Sequence, residues 1–293
     1  EQVNRLTIEN LAAVPLFLQE GDRVTGGNQD RTVYTSLIVP PKSGKQDIPA
    51  FCVEPSRWQA GTGGKAFAAN ANPTYASNNV RQACKLIKSQ QVVWDNVAKS
   101  KSDLTRAIGT MDKTSSLNEA QDSKKVADAT KAFVTALGKS ADGQQELVGV
   151  AFALNGKIQE VNVFPGRRIA LAIYPRLLET YALDAVVMGK AADAKAKAPT
   201  REQVLAMLRT ELKEKPDRDE KINAKNHLNI FAAKAASTDK KTRVYRCQTD
   251  YEGKPVHLQW LVGPEMIEAP DKRFNDLQQQ LQLAPNQSPS RNP

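Results

Sequence analysis

The segment ELVGVAFALNGKIQEVNVFPG, residues 146–166, decides the fold class of this chain. Two apolar-rich runs flank Asn155-Gly156, a pair that favours a type I′ turn because that turn needs positive φ at both central residues. The pattern therefore predicts a β-hairpin over 146–164. The segment RVYRCQTDYEGKPVHLQWLVG predicts a second hairpin over 242–262, turning near Glu252-Gly253. Two hairpins indicate antiparallel pairing of strands.

Alternating and β-branched runs make up most of residues 1–58, which we predict to be the N-terminal strands. The runs are VNRLTIEN, VPLFL, RTVYTSLIV and DIPAFCVE, and the turn signals EGD, TGGN and PPKSGKQD separate them. The following residues, 59–76, are rich in Gly, Ala and Asn and predict a loop.

Helical periodicity dominates two later regions. We predict a helical insert over 77–140, in which one continuous helix runs from about Leu117 to Leu137. Helices are predicted again over 168–238, with a break or kink at Pro175 because proline lacks a backbone donor. In that second region Thr200–Gln203 has the spacing of a capping box.

The strands and helices are segregated along the chain and do not alternate regularly. This order favours an α+β fold, an antiparallel sheet of meander or sandwich type with the helices packed on it, over a doubly wound parallel sheet. We expect a single α+β domain over 1–265. Residues 266–293 should form a C-terminal helix and a flexible tail, because the last residues are rich in Pro, Ser and Asn.

The composition is that of an ordinary globular chain. Apolar residues make up 40% and charged residues 25% of its 293 residues. No run approaches the about 18 consecutive apolar residues of a transmembrane segment. The chain begins at Glu1 without a basic and then apolar start, so its location stays open: exported, to the periplasm or outside, if a leader was removed before Glu1, and cytoplasmic otherwise.

The net charge of +9 is distributed unevenly. Residues 1–60 carry six Lys/Arg against seven Asp/Glu, so the positive excess lies in the remaining residues, in stretches such as KAADAKAKAP. A basic surface can attract nucleic acid. These stretches lack clustered arginines and interleaved aromatics, which argues for solvated helix faces and against a nucleic-acid partner.

Several chemistries find no support in the sequence. The two histidines, His227 in a predicted helical stretch and His257 on a predicted strand, have no metal-ligating residue at ligand spacing, so no metal site is expected. No phosphate-binding loop, dinucleotide motif or nucleophile elbow is present, and we expect no cofactor. The three cysteines, Cys52, Cys84 and Cys247, are far apart and are expected to be buried reduced thiols.

The densest polar feature is GDRVTGGNQDR, residues 21–31, together with the residues that follow the strand DIPAFCVE. A Gly-Gly pair allows backbone amides to point at an anion, and arginine presents a fork of donors suited to phosphate or carboxylate. We regard a ligand site and a network that merely closes the turn as equal alternatives. The predicted ligand-binding residues are Arg23, Gly26, Gly27, Gln29, Arg31, Glu54, Arg57 and Trp58, and the candidates for a catalytic role are Glu54 and Asp30.

Three motifs, PLFLQEGDRVTGGNQDR, LIVPPKSGK and IPAFCVEPSRW, resemble one bacterial family, the ADP-ribosylglycohydrolase and rhodanese-phosphatase-associated protein domain. The resemblance implies an association of the domain with such proteins, and it implies no ligand or reaction for the domain itself. The family pattern falls here on Gly21, Gly26, Gln29, Arg31, Cys52, Glu54, Arg57 and Trp58.

We therefore predict a non-catalytic binding or interaction domain whose Arg/Glu/Asp cluster, within residues 20–58, holds an anionic ligand. One alternative is a hydrolase of a phosphorylated or ADP-ribosyl compound, with Glu54 or Asp30 as general acid or base. Another is a structural subunit of an exported assembly. The expected partners are an anionic small molecule and a second protein or a second copy of this chain.

Overall fold

The computed structural model describes residues 4–55, 65–72, 74–109, 114–189, 195–235 and 242–266. Its strands are β1 (Arg5–Glu9), β2 (Leu16–Leu18), β3 (Arg23–Gly27), β4 (Arg31–Val33), β5 (Leu37–Val39), β6 (Lys45–Cys52), β7 (Lys65–Ala69), β8 (Gly149–Leu154), β9 (Lys157–Val163), β10 (Arg218–Lys221), β11 (Asn226–Ala232), β12 (Thr242–Tyr251) and β13 (Lys254–Pro264). Its helices are α1 (Asn78–Gln82), a π-helical turn (Ala83–Ile87), α2 (Gln90–Ile108), α3 (Leu117–Gln121), α4 (Lys124–Leu137), a 3-10 turn (Gly138–Ala141), α5 (Arg167–Met188) and α6 (Arg201–Leu208).

The N-terminal strands form a five-stranded antiparallel sheet in the order β1-β6-β4-β3-β7, next to a two-stranded sheet of β2 and β5. The predicted strand RTVYTSLIV is in fact two strands in two sheets, since β4 ends at Val33 and β5 begins at Leu37. Apolar side chains of both sheets pack together, among them Leu6, Leu37 and Ile48. This packing fixes the small sheet against the larger one.

The second sheet contains both predicted hairpins. Its six strands follow the order β10-β11-β12-β13-β9-β8, and the hairpins join where β13 pairs with β9, with Trp260 opposite Val161. Asn155 and Gly156 have φ of 48° and 72°, as the type I′ prediction requires. The mixed α+β fold with antiparallel sheets is therefore confirmed.

The helices cover the sheets and enclose the core. The largest apolar cluster joins the π-helical turn and α2 to both sheets, with Leu86, Val93 and Ile230 among its members. A second cluster packs α5 against β8 and against Phe164, which follows β9. No helix within the described ranges has the length and apolar character that a bilayer span needs.

Two predicted helices are interrupted. The predicted helix over 117–137 is divided into α3 and α4, because the side chain of Ser123 caps the backbone amide of Val126 and starts a new helix. The helical stretch predicted from residue 77 is also interrupted, at Lys88, whose φ of 56° is left-handed, and Ser89 then caps α2.

The prediction of helices over 168–238 is wrong beyond α6. The capping box at Thr200 is present, but β10 and β11 follow it, so His227 lies on a strand. Alternate residues of β11 are buried, Leu228 and Ile230 among them, and burial with a period of two residues is typical of a strand. The predicted loop over 59–76 likewise contains strand β7, which pairs with β3.

Candidate functional site

The turn between β3 and β4 brings Asp30 and Glu54 together, as the sequence predicts. The Asp30 carboxylate accepts hydrogen bonds from the Gly26 amide at 3.2 Å and from the Ser116 hydroxyl at 2.8 Å. The Glu54 carboxylate accepts from the Asp30 amide at 3.2 Å and from the Ser115 hydroxyl at 3.4 Å. Both carboxylates therefore bind groups of this chain and join the turn to the start of α3.

Gln29 and Arg31 belong to the same turn. The side-chain amide of Gln29 donates to the Glu54 carbonyl at 2.8 Å, and Arg31 Nη1 donates to the Gln29 carbonyl at 2.8 Å. Arg31 is fully buried and its guanidinium lies 5.8 Å from the centre of the Phe67 ring. Two of the predicted ligand-binding residues, Arg57 and Trp58, lie outside the described residues.

The two glycines of the turn have backbone conformations that favour glycine, with φ of 123° at Gly26 and 55° at Gly27. A Cβ atom on Gly26 would lie 2.6 Å from the carbonyl oxygen of Ala66 in β7. Gly26 therefore serves the close approach of β7 to β3.

Arg23 is separated from this turn and belongs to a second polar group. Its Nε donates to the Thr74 carbonyl at 3.0 Å, and its Nη2 donates to Asp122 at 2.6 Å. Asn70 donates to the other oxygen of Asp122 at 2.8 Å. Burial lowers the pKa of Arg23, although the neighbouring Asp122 acts in the opposite direction.

Asp22 and Arg176 extend this second group. Arg176 donates to the Asp22 carboxylate, and its guanidinium lies over the Tyr75 ring at 4.2 Å from the ring centre. Burial raises the pKa of Asp22, although Arg176 lowers it. The Arg176 side chain is 29% exposed and that of Asp22 is 15% exposed, so the cation is the more accessible partner.

This second polar group lines one side of a cleft with a volume of about 590 Å³. The cleft lies between β1, β2, β3 and β7, and its other walls are apolar, with Ile8, Leu18 and Val24 among them. Two larger apolar side chains at the cleft, Leu16 and Phe67, are 40% and 37% exposed. We call this feature the β1–β7 cleft.

A third polar group was not predicted from the sequence. Glu20, Arg81, Lys85 and Glu160 are each at most 5% exposed and form a network that joins the β2–β3 connection, α1 and the π-helical turn to the six-stranded sheet. Arg81 contacts Glu20 at 3.3 Å and Glu160 at 2.5 Å, while Lys85 pairs with Glu20. Gln259 completes the network by donating to Glu20 at 2.6 Å and to Glu160 at 2.8 Å.

The charges of this network are balanced and closed off from solvent. Burial opposes ionisation of Glu160, but Arg81 and the hydrogen bonds from Tyr181, Gln259 and Asn162 lower its pKa to about 2. Lys85 sits in the π-helical turn, a local irregularity that is frequent at functional positions. Because two acids pair with two bases and all four side chains are buried, the arrangement is that of a structural ion-pair network.

His257 extends the network through hydrogen bonds. Its Nε2 lies 2.9 Å from Asn162 Oδ1, and its Nδ1 lies 2.9 Å from the Ser36 hydroxyl. Burial, with Lys85 nearby, lowers the pKa of His257 to about 3. In the sequence, polar residues alternate with apolar ones in β9 and in β13, which puts Asn162 and His257 on the face opposite the apolar side chains. Only the fold shows that this polar face is buried.

The expectations about metals and thiols are compared here with the part of the chain that the structure describes. There, no group of three or more His, Cys, Asp or Glu residues is arranged to hold a metal ion. All three cysteines are buried, and none of them forms a disulfide. Burial raises the pKa of Cys84 and of Cys247, so these two thiols are poor nucleophiles.

Comparison with known proteins gives a family and no relative of defined activity. The model of the ARG and Rhodanese-Phosphatase-superfamily-associated Protein domain matches residues 1–260, and the chain belongs to this family. Neither the curated proteins nor the solved structures contain a match to the chain. The family inferred from the motifs is thus confirmed, whereas its connection with ADP-ribosylglycohydrolases stays a prediction.

Proposed function

We propose that this member of the family is a non-catalytic binding domain, and that its ligand lies in the β1–β7 cleft. The ligand has an elongated apolar body and an anionic end that meets Arg176. One observation carries the proposal: the apolar walls of the cleft meet the Asp22, Arg23 and Arg176 group along one side. Ligand sites in proteins are commonly apolar cavities of this size with a few convergent polar groups.

The apolar walls support an apolar ligand body. Burying apolar surface is favourable by roughly 25 cal/mol per Å², so the exposed faces of Leu16 and Phe67 gain from being covered. A cleft of the same volume, about 590 Å³, lies beside the β10–β11 turn, but Arg5, Asp47 and Lys221 line it. That surface is well solvated and gives an apolar ligand no advantage.

The anionic end of the ligand follows from the accessible cation. Arg176 carries a planar fork of donors that suits a carboxylate or a phosphate. Burial raises the pKa of Asp22, which lowers the cost of placing a second anion near Arg176.

The proposal keeps the class of function predicted from the sequence and changes the place of the ligand. Arg23 remains part of the site. Gln29, Asp30, Arg31 and Glu54 are assigned to closing the β3–β4 turn, because their polar atoms bind main-chain and side-chain groups of the protein itself.

Fluorescent dyes of matched size test the proposal. Anilinonaphthalene sulfonate has an apolar body and an anionic end, and Nile red is apolar and neutral. We expect saturable binding of both to the wild type. Leu16→Asp should weaken both by about tenfold or more, because it places a charge at the apolar wall. Leu137→Asp is the matched control, since Leu137 is 47% exposed on α4 and does not line the cleft.

A second pair of variants tests the anionic end. The double variant Asp22→Asn with Arg176→Gln replaces the ion pair by neutral groups of similar shape. It should weaken sulfonate binding by about tenfold and leave Nile red binding within about twofold. Equal binding of the dyes by Leu16→Asp and Leu137→Asp would contradict the location of the site. Equal loss of both dyes in the double variant would contradict the anionic end.

A further inference from the structure

We infer that the ligand of the β1–β7 cleft is an extended segment of another protein, which adds as a strand to the free edge of β7. The inference rests on the proposed function, because it names the chemistry of the ligand for the same cleft. Strand addition uses the main-chain groups of an exposed sheet edge for affinity and side-chain pockets for specificity.

The main chain of β7 has an amide and a carbonyl that point away from β3, toward the position of an added strand. The Asn70 amide donates to the Arg23 carbonyl at 2.9 Å, and Val24 lies opposite Ala69. Hydrogen-bonded and non-hydrogen-bonded pairs alternate in an antiparallel ladder, so the amide and carbonyl of Ala69 point away from β3. Within the described ranges β7 is the last strand of its sheet, which leaves that edge without a neighbouring strand.

The side chains of β7 leave this edge accessible. Ala68 and Ala69 are exposed, as is Ala71 just after the strand, and consecutive residues from Phe67 to Ala71 line the cleft. Successive side chains point to opposite faces of a sheet, so a consecutive run shows that the strand edge itself borders the cleft.

The two edge strands of this sheet, β1 and β7, differ in the charge of their side chains. Sheet edges are usually protected by charged side chains. Strand β1, at the opposite edge, has charged residues at both ends, the exposed Arg5 and Glu9, whereas β7 has Lys65 at its start and four uncharged residues, Ala66–Ala69, after it. Residues of β1 line the same cleft, so a strand bound at β7 would face β1 across it.

The cleft also defines the sequence of the bound segment. Every second side chain of an added strand points into the cleft, whose walls at Ile8, Leu18 and Val24 are apolar. We therefore infer a segment with β-branched or other apolar residues at alternate positions. An acidic side chain or a terminal carboxylate near Arg176 supplies charge complementarity.

Selection from short random peptides displayed on phage tests the inference. The target is the wild-type protein, and each enriched peptide is then measured on Ala69→Pro and on Ala151→Pro. The first variant removes the outward amide of β7, and proline is tolerated on edge strands. The second is the matched control: Ala151 is exposed on β8, the edge strand of the other sheet, opposite Val161.

We expect enriched peptides with apolar residues at every second position. Their binding should be about tenfold or more weaker on Ala69→Pro and unchanged on Ala151→Pro. Enrichment of peptides that bind both variants equally would overturn the inference, as would an absence of enrichment. Dye binding to the same proteins separates strand addition from the cleft as a ligand site. If the dyes bind and no peptide is enriched, strand addition alone is refuted. If the dyes do not bind, the cleft is refuted as a site.

Discussion

His257 is buried as a neutral imidazole between two polar partners. The side-chain amide nitrogen of Asn162 donates to Glu160 at 2.7 Å, so its oxygen is the atom that faces His257. Nε2 therefore carries the proton, and Nδ1 accepts from the Ser36 hydroxyl. Burial disfavours the charged imidazolium, and the nearby Lys85 acts in the same direction, so the pKa of His257 is lowered.

We expect His257 and Asp184 to make the free energy of unfolding depend on pH in opposite directions. The folded pKa of His257, about 3, is below its ordinary value of 6.5, so its contribution is full above pH 6.5 and is lost as the pH falls toward 3. The largest slope is ~1.4 kcal/mol per pH unit. Burial raises the pKa of Asp184 from 3.8 to about 6, so its contribution grows as the pH falls between those values.

Urea denaturation at about pH 7 and about pH 5 separates the two groups. On acidification His257→Gln should keep or gain stability, whereas Asp184→Asn should lose more than the wild type. Identical pH dependence of the wild type and His257→Gln would refute the assignment.

At the scale of elements, the contact of β7 with β3 depends on one glycine. Gly26 has a φ of 123°, and a Cβ atom there would meet the Ala66 carbonyl oxygen at 2.6 Å. Gly44 also has a positive φ, of 64°, but nothing lies within 4 Å of the Cβ position. A side chain at either position would strain the backbone, but only at Gly26 would it also clash with a neighbouring strand.

We expect Gly26→Ala to destabilise the protein by at least about 2 kcal/mol, and Gly44→Ala by about 1 kcal/mol. The difference reflects the forced separation of β7 from β3, so Gly26→Ala should also weaken Nile red binding to the cleft. Urea midpoints and dye titrations measure the two effects. Equal destabilisation by both substitutions would show that β7 tolerates displacement.

The elements that the sequence predicted are those with strong local signals. Asn155-Gly156 and the Thr200 capping box act within a few residues, and both are present. The helix breaks at Lys88 and Ser123 were not predicted, because apolar periodicity continues across both positions. The helices are interrupted there by a left-handed residue at Lys88 and by a serine cap at Ser123. Strand β7 was not predicted, because alanine has a low strand propensity and the pairing of β7 with β3 depends on tertiary structure.

At the scale of the whole molecule, the buried charged network connects parts that are distant in sequence. Glu20 precedes β3, Arg81 lies in α1, Lys85 in the π-helical turn and Glu160 in β9. The Cβ position of Gly21 lies 2.5 Å from Arg81 Cδ, so the arginine packs directly against the glycine backbone. Sequence could not predict this network, because each charge looks like an ordinary surface residue until the fold removes it from water.

The same limit applies to the candidate site. The sequence identified Arg23 and the glycine-rich turn, because these residues are close in the chain. It did not identify Arg176 as the partner of Asp22, since α5 reaches β3 only in the folded protein. The division of the predicted cluster into a closed turn and a cleft is likewise a product of tertiary packing.

We expect the charged network to contribute to stability as a unit. Arg81→Met leaves Glu160 buried beside fewer donors and should cost about 3–5 kcal/mol, as should Glu160→Gln. The double variant should cost less than the two single costs together, because removing both partners leaves no isolated buried charge. Lys99→Met removes the exposed pair of Lys99 with Asp103 and should cost less than about 1 kcal/mol. Urea denaturation of the four variants measures the coupling, and additive losses from Arg81→Met and Glu160→Gln would show that the two side chains act independently.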